Sequence, residues 1–104
     1  MLSRSAPAAE PAPQSSCHAL LVSGMPGPPI YARRYADRLK RFHAHLTGVA
    51  KVPAGNVIVL SGDEAFKDPV VTGKATRDAI RQALAGLAKK VKPEDQFVLV
   101  LVGH

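Results

Sequence analysis

Apolar and polar positions divide this chain into five periodic segments. Three are short, nearly continuous apolar runs: His18-Ala19-Leu20-Leu21-Val22-Ser23, Val57-Ile58-Val59-Leu60, and Gln96-Phe97-Val98-Leu99-Val100-Leu101-Val102. Runs of this length, bounded by glycine or polar residues, predict strands buried on both faces, as in a parallel sheet. The last run reads as a central strand and delivers Gly103-His104 at its end. The other two segments have helical spacing. Over about 30–47, Tyr31, Tyr35, Leu39, Phe42 and Leu46 recur at intervals of four, four, three and four, while Arg33, Arg34, Asp37, Lys40 and Arg41 fall on the opposite face. That is one amphipathic stripe, with Gly48 as the expected C-cap. Over 77–91, Ile80, Ala83, Leu84, Leu87, Ala88 and Val91 form a second stripe. Thr76 is placed to cap its start, Asp78 suits the positive end of the helix dipole, and Lys89, Lys90 and Pro93 mark its finish.

The order is therefore β-α-β-α-β. Right-handed crossovers between parallel strands are the default, and three fully apolar strands require cover on both faces. The expected architecture is an α/β three-layer α-β-α sandwich of flavodoxin-like topology, with parallel sheet order 2-1-3 and one helix on each face. The loops at 24–30 and 63–75 and His104 then converge at the carboxyl edge of the sheet, where ligands and reactive groups gather in such folds. Residues 1–16, rich in Ala, Pro and Ser, read as a disordered tail or as the linker after a cleaved signal; residues 17–104 form the domain. The protein is expected to be exported, to the periplasm or outside the cell, if a signal peptide precedes this N-terminus, and cytoplasmic otherwise.

Composition narrows the chemistry. The net charge is +6, but the five aromatic residues do not interleave with a basic strand, so no nucleic-acid partner is expected. No run approaches the roughly 18 apolar residues of a membrane span. The loop Gly24-Met25-Pro26-Gly27-Pro28-Pro29 lacks the G-x-G-x-x-G fingerprint and carries three prolines without N–H donors, which argues against a dinucleotide. Gly73-Lys74 fails as a P-loop, because Asp68 stands where the first glycine is needed and Ala75 where Ser or Thr is needed. No cofactor and no metal are expected. His43 and His45, two apart on a helix, point in different directions and cannot share a metal. His18 reads as a solvated strand end. Cys17, the single cysteine, precedes the first strand while His104 follows the third, which puts them roughly 17–20 Å apart and rules out a Cys-His pair between them. Nothing in the sequence assigns a role to Asp63 or Glu64.

The series His18-Ala19-Leu20-Leu21-Val22-Ser23-Gly24, Asn56-Val57-Ile58-Val59-Leu60-Ser61-Gly62, a helix begun at Ala75-Thr76, and Phe97 to Gly103-His104 resembles the caspase-like cysteine peptidases of the legumain family. It is most similar to the bacterial members, which carry Gly-His-Gly after the third strand. The resemblance implies a cysteine-type endopeptidase acting on peptide or protein substrates through a Cys-His dyad, with His104 as the catalytic histidine. It also implies a specificity pocket shaped by an arginine from the region of Arg33 and Arg34. The family's glycine after the histidine and its cysteine after a fourth strand have no counterpart here, so the chain is expected to be an incomplete, caspase-like half-domain, inactive alone. The alternative is a non-catalytic flavodoxin-like binding or interaction module. Either way, the third strand is expected to be a hydrophobic edge prone to self-association.

Overall fold

A computed structural model describes residues 15–104. The tail expected over 1–16 therefore lies almost wholly outside the described residues. Its last residue is held, because the Ser16 N–H donates to the Asp95 carboxylate at 2.8 Å. In chain order the elements are β1 (Cys17–Ser23), α1 (Pro29–Ala44), β2 (Val57–Ser61), β3 (Gly73–Lys74), α2 (Arg77–Lys90) and β4 (Gln96–Val102). All four strands run parallel, in the order β3-β2-β1-β4. The extra strand β3 arises inside the stretch expected to be a loop. Its approach is set by Thr72, which donates its N–H to the Val59 carbonyl at 2.7 Å and accepts the Val59 N–H on Oγ1 at 3.0 Å.

Alternation along β1 divides the core in two. Ala19 and Leu21 face α1 and join Tyr35, Leu39, Leu46, Val52, Val57, Val59 and Val102. Leu20 and Val22 face α2 and join Leu60 and Leu87, with Ile80 and Ala83 packed alongside. Leu20, Leu21 and Leu39 are completely enclosed, and each contributes roughly 1.5–3 kcal/mol of apolar transfer before entropy is counted. The result is a parallel sheet with a helix on each face.

Three burial expectations need correction. Among the described residues β4 has a single neighbour, β1, and is buried on one face only. Val98, Val100 and Val102 turn toward α1, while Phe97, Leu99 and Leu101 are exposed at 42%, 49% and 72%. The cause is lateral reach: α2 packs over β1 and β2 and leaves the same face of β4 bare. Phe42 and Leu84, read as stripe residues, are likewise exposed. The spacing identifies an apolar helix face, but that face is wider than the sheet beneath it. The end of α1 also differs. Gly48 is not its cap; the helix loosens into a π-turn over His45–Val49, and the left-handed position falls on Lys51, at φ 60°. The turn brings Val52 back into the core, its N–H donating to the Leu46 carbonyl at 2.8 Å.

The amino edge of the sheet is closed by Asp95. Its carboxylate accepts the Ser16 N–H at 2.8 Å and the Lys92 N–H at 2.9 Å, so one side chain ties the lead-in of β1 to the turn between α2 and β4. His18 Nε2 lies 3.6 Å away, and His18 is buried, not a solvated strand end. The Lys92 and Ser16 hydrogen bonds lower the Asp95 pKa below its ordinary 3.8, with the His18 and Lys92 charges adding to the effect. A carboxyl whose folded pKa is depressed stabilises the fold above its unfolded pKa and loses that contribution as pH falls through the folded value. Asp95→Asn should therefore lower the melting temperature at pH 7 and flatten the loss of stability below about pH 4. Thermal melts of both proteins from pH 2 to 7 check this, and parallel curves would refute it.

At the opposite edge Gly62 is a steric requirement. A Cβ there would lie 2.5 Å from the Gly24 carbonyl carbon and 2.8 Å from the Met25 nitrogen, both backbone. Gly62→Ala should cost about 1–3 kcal/mol, the usual penalty of overpacking against atoms that cannot move aside. Urea denaturation measures it, and an unchanged midpoint would contradict the close approach.

Candidate functional site

Three strand ends are knitted together at the carboxyl edge. Ser23 and Ser61 are register partners, and both are buried. The Gly62 N–H donates to the Ser23 carbonyl at 2.9 Å, and the Gly24 N–H donates to the Val102 carbonyl at 3.0 Å. These bonds fix the backbone two residues before His104. The chain then rises from Gly24 through a proline-rich turn into α1, with Pro29 in its first turn, where a missing N–H does no harm. Because α1 starts at this edge, its first two turns overhang the point where β4 ends.

Tyr31 and Tyr35, four residues apart on α1, therefore meet His104. The imidazole stacks on the Tyr31 ring at 3.9 Å between centroids and 8° between planes. Its Nδ1 is hydrogen-bonded to the Tyr35 hydroxyl. Tyr35 is itself buried in the α1-side core, with Phe66 packed on the same cluster, so the hydroxyl is held by a rigid ring. His104 is exposed, and the structure gives its Nε2 no partner among the described residues. One ring nitrogen and one ring face are thus committed, and the other nitrogen is open to solvent.

The pair has two chemical states. When Nδ1–H donates to the tyrosine oxygen, Nε2 is a free lone pair and can accept a proton. When the tyrosine O–H donates to Nδ1, Nε2 carries the hydrogen and can donate it in a hydrogen bond. A base whose second nitrogen is oriented by a neighbouring group is the recurring requirement of nucleophile–base catalysis.

The arginines separate. Arg34 lies with its guanidinium carbon 5.9 Å from the Tyr31 ring centre, beside the stack. Arg33 is exposed on α1 and makes no ion pair among the described residues. Cys17 begins β1 opposite Gln96 in register, and Val102 is six residues further along that register. At about 3.3 Å per residue the thiol and His104 sit at opposite ends of the sheet.

The loop after β2 lines a second cleft at this edge, of about 520 Å3. Its carboxylates serve the loop itself. Asp63 Oδ1 accepts the Ala65 N–H, Asp68 Oδ1 accepts the Val70 N–H, and Glu64 pairs with Lys74 at 3.4 Å. Among the described residues no three His, Cys, Asp or Glu side chains converge as metal ligands.

Sequence reasoning assigned Tyr31 and Tyr35 to the core stripe and missed their polar ends. The available signal was positional: the first two turns of a helix that follows a strand through a short loop must lie over that strand's carboxyl end. Compared with known protein families, curated proteins and solved structures, the chain matches none.

Tyr35→Phe removes the hydroxyl and leaves the ring. It should cost about 0.5–1.5 kcal/mol, the net worth of one hydrogen bond, and change the tautomer ratio of His104. Nitrogen-15 NMR of the imidazole reads the second effect, and an unaltered ring spectrum would show that the hydroxyl does not orient it.

Proposed function

We propose that the chain is the histidine-bearing part of a caspase-like cysteine endopeptidase domain, with the long strands in the order β2-β1-β4 corresponding to the family's 2-1-3. The observation that carries the reading is His104 itself. It stands just past the carboxyl end of a sheet strand, oriented through Nδ1 by Tyr35, stacked on Tyr31, and open at Nε2. In this role Nε2 takes the proton of a cysteine thiol, and the thiolate attacks the carbonyl carbon of a bound peptide. His104 then returns the proton to the departing amine, leaving a thioester that water hydrolyses. Tyr35 keeps the ring aimed through the cycle, and Arg34, beside the Tyr31 face, is the better placed of the two arginines to meet an acidic substrate group. Cys17 lies at the far edge of the sheet, so the reading requires a thiol supplied from outside these 104 residues.

A second reading, a non-catalytic flavodoxin-like interaction module, is favoured by one observation. The row Phe97, Leu99 and Leu101 is exposed on a strand with a free edge.

The test uses protein purified from its native source and a peptide probe bearing a thiol-reactive ketone. Labelling should fall by about 10²–10⁴-fold in His104→Gln, the usual contribution of a general base, and be unchanged in Cys17→Ser. The 104-residue chain alone should show no peptidase turnover above background. Absence of labelling in the native protein, or labelling at Cys17, would overturn the reading in favour of the interaction module.

A further inference from the structure

Among the described residues β4 ends the sheet with no strand beside it, and its backbone groups show which residues are available. The Gln96 N–H donates to the Ser16 carbonyl and the Val102 carbonyl accepts from Gly24, so both point toward β1. Backbone groups alternate in direction along a strand, which leaves the N–H and C=O of Phe97, Leu99 and Leu101 directed outward. The strand has none of the devices that normally blunt an edge: no charge, no proline and no irregularity across its seven residues.

The two faces flanking this edge differ in chemistry. On the α1 side a groove of about 790 Å3 runs along Val100 to Gly103, walled by Arg38, Arg41, Phe42 and His45. Arg41 is engaged by Asp37 at 2.9 Å, whereas Arg38 makes no ion pair among the described residues. On the α2 side the described residues form no wall, only the exposed row Phe97, Leu99 and Leu101. A strand laid along β4 sends alternate side chains to these two faces. Those on the α1 side meet guanidinium groups and an imidazole; those on the α2 side extend an apolar row.

We propose that the free edge of β4 docks an extended segment of another polypeptide in which acidic side chains alternate with apolar ones. This inference uses none of His104, Tyr31 or Tyr35, and it is an alternative to the peptidase reading at this edge, where the rest of a peptidase domain would continue the sheet past β4. The charge of the groove selects this occupant over a second copy of the chain. Antiparallel pairing of two β4 edges about a two-fold axis normal to the sheet keeps α1 on the same side in both copies. It would set one basic wall facing the other, on molecules that each carry a net +6.

Fluorescence anisotropy with three labelled nonapeptides tests it: alternating Glu and Val, alternating Lys and Val, and a block peptide with Glu and Val segregated. The first should bind about tenfold or more tighter than the other two, and progressively less as salt is raised. Amide NMR shifts should concentrate on Phe97, Leu99 and Leu101. Arg38→Glu, on the exposed helix surface, should reverse the preference between the acidic and basic peptides. Leu99→Lys, which places a charge on the edge, should abolish binding with the circular dichroism spectrum unchanged. Equal affinities for the three peptides, or shifts away from β4, would overturn the proposal. So would a concentration-dependent dimer protecting the same amides, which would assign the edge to a second copy.

Discussion

The pairing of β1 with β4 is the constraint on which the rest of the molecule depends. Seven consecutive residues of each strand are in register, and the ladder is secured at both ends. Asp95 gathers the Ser16 and Lys92 N–H groups at the amino edge, and Gly24 donates to Val102 at the carboxyl edge. A parallel strand cannot shift by one residue without sending its whole buried row to the other face. Here such a slip would expose Val98, Val100 and Val102 and turn Phe97, Leu99 and Leu101 under α1. It would also move His104 off the Tyr31 ring. The same register therefore sets core composition and site geometry together.

Much of this was legible in the residue pattern, and the reason differs by element. β1 and β2 announce themselves because each is apolar on both faces and stopped by Ser-Gly, and α2 because Thr76 caps it, its Oγ1 accepting the Ala79 N–H at 3.0 Å. The carboxyl edge as the place of interest followed from strand polarity alone. β3 was invisible because a two-residue strand leaves no periodicity; its pairing rests on Thr72, a local bond no pattern encodes. Burial was overread in β4, Phe42 and Leu84 because hydrophobicity records what a residue tolerates, whereas exposure depends on how far a neighbouring helix extends. The His104 cluster was half legible. The histidine stood out at a strand end, but the tyrosines that orient it lie 69 or more positions earlier and carry the spacing of ordinary core residues.

The site and the edge groove divide α1 between them. Its amino-terminal turns hold aromatic rings whose polar ends meet the imidazole. Its carboxyl-terminal half turns Arg38, Arg41 and Phe42 along the side of β4. One helix thus borders two chemically different surfaces, and it can do so because it is buried only along a narrow line through Tyr35 and Leu39.

The separation between the two halves of the principal ladder has a further consequence during synthesis. Ser16 and Asp95 are 79 positions apart, so the strand at the centre of the sheet is made first and its second neighbour last. Contacts of such long range are slow to form, since loop closure must precede any reward. On the ribosome, β1, α1 and β2 emerge while one side of β1 still lacks a partner. Leu20 and Leu21, both completely enclosed in the folded protein, thus belong to a strand that stays half-paired until β4 has been translated.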